Sequence, residues 1–174
     1  TVYICTAHQF LDAIDAKTGK RLWRFDPKLS NTKTFQHLTC RGVSYHDNAQ
    51  AAGLTTGNAA TTTPSQICPR KVILPVNDGR LIAVNADTGK ACSDFGSNGE
   101  VNLQANMPNA YRGGYNPTSP PVVTASSIII GGSVTDNHSN QEPSGVIRAY
   151  DVNTGALRWV FDTGAEDPNQ MPGE

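Results

Sequence analysis

Two short stretches concentrate the residues that could do chemistry. The first, "TFQHLTCRGVSYHD" (34–47), gathers His37, Cys40, Arg41, Tyr45 and His46 in a segment whose apolar positions follow a period of two and then slip. Arginine presents a rigid fork of donors, and each imidazole nitrogen can donate or accept one hydrogen bond. The competing readings are plain. Arg41 could be a surface arginine after a strand, and His37, His46 and His8 could be structural or exposed histidines. The second stretch, "GGSVTDNHSN" (131–140), sets the Asp136 carboxylate beside the Asn137 amide carbonyl. A hard cation such as Mg²⁺ or Ca²⁺ takes oxygen ligands of this kind. Neighbours on a strand point to opposite faces, so the two reach one ion only where the chain turns. An Asp-Asn turn without a metal is the alternative.

The elements that must position these residues come from a repeat. "LDAIDAKTGKRLWRFD" (11–26), "LIAVNADTGKACSDFG" (81–96) and "IRAYDVNTGALRWVFD" (147–162) align on Gly19, Gly89 and Gly155, spaced 70 and 66 residues apart. The common form is apolar-x-Ala-apolar-(Asp/Asn)-x-x-Thr-Gly. Ala13, Ala83 and Ala149 fit strands too closely packed for a larger side chain. The Asp/Asn side chain can bond the turn backbone two residues on, and the glycine supplies a positive φ. Trp23 and Trp159 follow their glycines by four residues, whereas the middle repeat has Ser93 there, with Phe95 as a partial substitute; this leaves tight docking of that repeat in question. An apolar strand precedes each repeat: "TVYICTA", "KVILPV" and "SIIIGGSV". Strand, turn, strand, TG turn, strand predicts an all-β fold made of β-propeller blades with long inserted loops.

The totals narrow the classes. The chain has 174 residues, a net charge of -1 and 17% charged residues, which leaves no electrostatic footprint for nucleic acid. No apolar run approaches the roughly 18 to 20 residues of a membrane span. The chain opens at Thr1 inside an apolar strand and ends just after a turn, so an internal fragment of a larger protein is the expectation. Four cysteines, Cys5, Cys40, Cys68 and Cys92, show no zinc spacing. The hairpin around "NDG" brings the segments bearing Cys68 and Cys92 together. A bridge there is one expectation; four reduced, buried thiols is the other.

The repeat "A-x-(D/N)-x-x-T-G-x-x-x-W" resembles the blade repeat of pyrroloquinoline quinone (PQQ) dehydrogenases. The segments "CTAHQFLDAIDAKTGK", "FQHLTCRGVSYH", "LPVNDGRLIAVNADTGK", "NPTSPPV" and "GGSVTDNHSN…SGVIRAYDVNTG" are similar to the membrane-bound, PQQ-dependent glucose dehydrogenases of Gram-negative bacteria. The similarity covers essentially all of 1–174 and is weakest at 48–65. It implies two or three blades of an eight-bladed propeller on the periplasmic face of the inner membrane, with ubiquinone as electron acceptor.

The resemblance also assigns roles. Arg41, in "RGVSY", would bind a PQQ carboxylate, with Gly42 letting the backbone approach the cofactor. Thr118, in "NPTSPP", would hydrogen-bond another carboxylate, and Thr135 would face the cofactor rim. His37 would sit on the substrate side and influence sugar preference. Asp136 and Asn137 would bind Mg²⁺ or Ca²⁺. Alcohol-oxidising relatives carry two adjacent cysteines before this arginine; Thr39 and Cys40 stand there instead, which favours the sugar-oxidising branch. No catalytic residue is expected within the fragment: the aspartate base and a lysine near the quinone would lie in later blades. The isolated piece is therefore expected to be inactive. The other readings are a sister quinoprotein, such as a quinate or polyol dehydrogenase, and a non-catalytic propeller scaffold. The latter has no reason to combine "HLTCRG" with "GSVTDN".

Overall fold

The computed structural model describes residues 1–30, 32–48, 68–137 and 139–171. Most of the stretch where the family similarity is weakest therefore lies outside the described residues. Every pairing between named strands is antiparallel. The first sheet runs in the order β1 (Val2–Cys5), β2 (Leu11–Ile14), β3 (Arg21–Phe25). The second is β4 (Ser44–Asp47), β5 (Arg70–Val76), β6 (Arg80–Asn85), β7 (Glu100–Asn102). A two-stranded ribbon pairs β8 (Tyr115–Asn116) with β11 (Ser133–Val134). The third sheet orders β9 (Val122–Val123), β10 (Ser127–Ile130), β12 (Ile147–Asp151) and β13 (Leu157–Phe161).

The three TG turns share one mechanism. The Asp15, Asn85 and Asp151 side-chain oxygens each accept backbone N–H bonds from the second and third residues that follow, at 2.8–3.0 Å. Each glycine then donates its N–H to the carbonyl of that same Asp or Asn at 2.9 Å, with φ of 69°, 69° and 71°. A side chain at that φ is strained, which is why glycine closes the turn.

Stacking of the sheets makes the core. In β5, Val72, Leu74 and Val76 join Leu11, Ile82 and Val84 in one apolar cluster, flanked by Tyr3, Trp23 and Phe25 of the first sheet. Ile73 faces the other way, into a cluster with Leu81, Ala83, Phe95, Ile128 and Tyr150. Strand β5 reads as a continuous apolar run because the middle sheet has a neighbour on both faces, and alternate residues serve each one. Ala13, Ala83 and Ala149 are all fully buried.

Trp23 docks on the next repeat's turn. Its Nε1–H donates to the Ala86 carbonyl at 3.1 Å, and a Cβ on Gly89 would sit 2.7 Å from the indole Cδ2. The middle repeat departs from the expected pattern. After its TG turn, Ala91 makes a single bridge to Val84, and the chain then turns back to pair β7 with β6. Cys92 is bridged to Cys68, and Phe95 is fully buried. Docking here stays tight without a tryptophan. The Gly96 N–H donates to Thr154 O at 2.8 Å, and a Cβ on Gly155 would lie 2.9 Å from the Gly96 nitrogen. The buried Lys71 ammonium donates to the Val152 carbonyl at 3.2 Å, the repeat position equivalent to Ala86.

Candidate functional site

The β8–β11 ribbon is the platform for half of the residues singled out above. Ser133 pairs with Asn116 and Val134 with Tyr115, so "VTDN" and "NPT" leave the ribbon side by side. The approach is close: a Cβ on Gly132 would meet the Asn116 carbonyl oxygen at 2.7 Å. Burial raises the pKa of the Tyr115 hydroxyl, which donates to the Val146 carbonyl at 3.1 Å and anchors the ribbon to the core. Thr118, half-buried, lines an open cleft of about 530 Å³ with Ser119, Pro120, Gly131, Gly132 and Ser133. No described residue takes up its hydroxyl.

Thr135 is committed to the scaffold. Its hydroxyl donates to the Gly113 carbonyl at 2.8 Å, and its N–H to Gly114 O at 2.9 Å. With its proton used, that hydroxyl can accept but not donate, so it suits a carboxylate rim less well than Thr118. Its contacts fix the chain just before Asp136. Asn137 has φ of 57°, so the backbone does turn at the Asp136–Asn137 pair, as joint ligation of one ion requires.

The stretch bearing His37 and Arg41 meets this platform at three places. Gln36 Nε2 donates to Asp136 Oδ1 at 2.9 Å, joining residues 100 apart in sequence. A Cβ on Gly42 would fall 2.7 Å from Pro120 Cγ. The Ser44 hydroxyl donates to the Pro121 carbonyl. The close approach at Gly42 is to Pro120, which gives a packing reason for glycine at this position. Arg112 adds to the seam, its guanidinium 5.0 Å above the ring of the buried Phe35.

Electrostatics favour an ionised carboxylate at the site. The Gln36 hydrogen bond, opposed by a smaller effect of burial, holds Asp136 below the usual carboxylate range; the nearby His37 acts in the same direction. Arg41 and His37 are both exposed, and no described residue forms an ion pair or hydrogen bond with the Arg41 guanidinium. Among the described residues there is no group of three or more His, Cys, Asp or Glu that could hold a metal. Asp136 and Asn137 can supply only part of a coordination sphere. His46 is buried, its Nε2 lies 2.7 Å from Asn48 Oδ1, and burial lowers its pKa, all marks of a structural residue.

The cysteines form two bridges. Cys68–Cys92 is the pairing that the hairpin suggested; Cys5–Cys40, with Cα atoms 5.9 Å apart, was not anticipated. The second ties the residue next to Arg41 to strand β1. Neither the Gln36 bond to Asp136 nor the partner of Cys5 carried a signal in the sequence, because both join segments far apart along the chain.

The chain is similar to several known proteins. The family model described as the PQQ glucose/ethanol/alcohol dehydrogenase β-propeller domain matches residues 1–174. Quinoprotein glucose dehydrogenase A of Acinetobacter calcoaceticus is 68% identical over 173 residues, 99% of this chain and 22% of that protein. Quinate/shikimate dehydrogenase (quinone) of Acinetobacter baylyi is 43% identical over 180 residues, again 99% of this chain and 22% of that protein. Among solved structures, the quinohemoprotein alcohol dehydrogenase of Comamonas testosteroni superposes with a TM-score of 0.62 at 25% identity, over 92% of this chain and 19% of that one. The chain thus spans about a fifth of the length of these relatives. No helix among the described residues is long and apolar enough to cross a membrane.

Proposed function

The chain belongs to the PQQ glucose/ethanol/alcohol dehydrogenase β-propeller family, and from that premise we propose that it forms part of the cofactor site of a PQQ-dependent glucose dehydrogenase. The whole enzyme oxidises D-glucose to gluconolactone on the periplasmic face of the bacterial inner membrane and passes the electrons to ubiquinone. The observation that carries this reading is the Gln36–Asp136 bond at 2.9 Å, together with the Gly42–Pro120 contact. These join the stretches that carry Arg41, Thr118 and Asp136, and among the described residues neither the Arg41 guanidinium nor the Thr118 hydroxyl has a partner.

That donor set fits PQQ, a flat quinone with three carboxylates. Bound PQQ supplies a two-electron acceptor for the hydrogen on the sugar's C1 carbon. Arg41 offers its planar fork to one carboxylate, and Thr118 offers its hydroxyl proton to another. Thr135 holds the chain so that Asp136 and Asn137 present oxygen ligands to Mg²⁺ or Ca²⁺, the remaining ligands coming from elsewhere in the protein. His37, exposed beside Asp136, donates to a sugar hydroxyl and orients the substrate. The base that takes the hydroxyl proton lies outside this chain, so the 174-residue piece alone is inactive.

The higher identity to a glucose dehydrogenase than to a quinate/shikimate dehydrogenase, 68% against 43%, favours an aldose over quinate. The test uses the full-length enzyme stripped of PQQ. Titration with PQQ, followed by quenching of protein fluorescence, should show Arg41→Ala binding at least tenfold more weakly than wild type, the loss of one charge-assisted contact. A substrate panel then compares glucose with quinate and polyols. Unchanged PQQ affinity in the variant, or turnover of quinate ahead of glucose, refutes the assignment.

A further inference from the structure

We propose that Gln9 and Asn77 are positioning residues, a buried amide clasp that fixes the backbone of 37–39 and so aims His37 and Arg41 at the site. The inference rests on the roles given above to those two side chains. Gln9 is fully buried and Asn77 is 2% exposed. Gln9 Nε2 donates to the Thr39 carbonyl at 2.8 Å and also to Asn77 Oδ1. The Asn77 N–H returns a bond to Gln9 Oε1 at 2.7 Å, and Asn77 Nδ2 donates to the His37 carbonyl. One amide pair therefore holds the two carbonyls that flank Leu38.

The need is physical. Residues 35–43 belong to no strand, so their backbone carbonyls have no ladder partners and must find donors elsewhere. The donors come from two different sheets: Gln9 from the turn between β1 and β2, and Asn77 from the turn between β5 and β6. Gln9 adopts φ of 67°, a conformation unfavourable for a residue with a side chain. Burying two amides gains little stability over a well-packed apolar pair, because hydrogen bonds to water are given up in exchange. What the polar pair adds is direction: an apolar pair would leave the 37–39 backbone free to shift along the sheet tops. The Cys5–Cys40 bridge pins the following residue. The stretch is thus held at 37, 39 and 40, while the side chains of His37 and Arg41 remain exposed.

The test uses the full-length holoenzyme and its PQQ-free form. In the holoenzyme at saturating PQQ, Asn77→Ala should raise the glucose KM about tenfold with kcat little changed, the factor for one lost hydrogen bond. Asn77→Ser, which keeps a smaller polar group, is the second variant should the first not fold. His37→Ala should raise KM as well, and the double variant should be no worse than His37→Ala alone. In the PQQ-free protein, a fluorescence titration should show Gln9→Ala binding PQQ about tenfold more weakly. In an Arg41→Ala background that effect should vanish. Additive effects in both pairs, or lowered thermal stability with KM and PQQ affinity unchanged, would make the clasp purely structural and overturn the inference. An unchanged KM in His37→Ala overturns the substrate role of His37 itself, and the Asn77 arm with it.

Discussion

Replacing Gly42 by alanine tests whether the seam between the two site-bearing stretches is rigid. The added Cβ would lie 2.7 Å from Pro120 Cγ, 0.7 Å inside the 3.4 Å at which ordinary contact begins. Pro120 cannot swing away as a flexible side chain would, because its ring is closed on the backbone and Pro121 follows it. Relief must come from moving one stretch off the other. Overpacking of this kind costs about 1–3 kcal/mol, and a φ of 157° adds a backbone cost of about 1–3 kcal/mol for a residue with a Cβ. A shift of that size separates Arg41 from Thr118 and stretches the Gln36–Asp136 bond. PQQ affinity should therefore fall at least tenfold, about 1.4 kcal/mol. The assay pairs urea denaturation with PQQ titration of the full-length protein. Pro120→Ala deletes the clashing Cγ, and the next atom, Cβ, stands at an ordinary 3.5 Å. In the Gly42→Ala/Pro120→Ala double variant the packing cost should be recovered and the backbone cost kept, with PQQ affinity largely restored. If Pro120→Ala recovers nothing, or Gly42→Ala binds PQQ as wild type does, the seam does not set the geometry of the site.

The remaining expectations concern the scaffold. Cys68→Ser/Cys92→Ser opens a bridge spanning 24 residues and should cost about 3 kcal/mol in a denaturant titration while leaving PQQ affinity unchanged; Cys5→Ser/Cys40→Ser should lower stability and weaken PQQ as well, because that bridge sits beside Arg41. At Asp151, burial raises the pKa, but the Arg158 guanidinium and the Thr154 and Asn153 donors outweigh it and hold the carboxyl at about 2, down from 3.8. A depressed folded-state pKa stabilises above the unfolded value and is lost as pH falls through the folded one, so stability should drop between pH 3.8 and about 2. Asp151→Asn should flatten that part of a melting-temperature profile against pH, and an unaltered profile would show that the turn contributes nothing there.

Much of the scaffold was legible in the residues themselves. The Thr-Gly turns, the buried alanines and the paired apolar strands all depend on neighbours within a few positions, where hydrogen bonding and side-chain alternation follow from residue type. The "NDG" hairpin was readable for the same reason, and with it the Cys68–Cys92 bridge. The middle repeat was legible only in part: the aligned pattern offered Phe95 in place of the missing tryptophan, but not the help of Lys71 or the backbone bond from Gly96.

The site divides along the same line. Residue types marked out His37, Arg41, Asp136 and Asn137 as candidates, and the resemblance to PQQ dehydrogenases added Thr118 and gave each residue its role. Only the stacked sheets decided that Gln36 reaches Asp136, that Gly42 yields to Pro120, that Cys40 pairs with Cys5 and that Thr135 spends its proton on Gly113. Contacts between residues 22 to 100 positions apart are set by how the sheets and ribbon lie on one another. That placement is the product of the whole apolar core, and no local stretch of sequence encodes it.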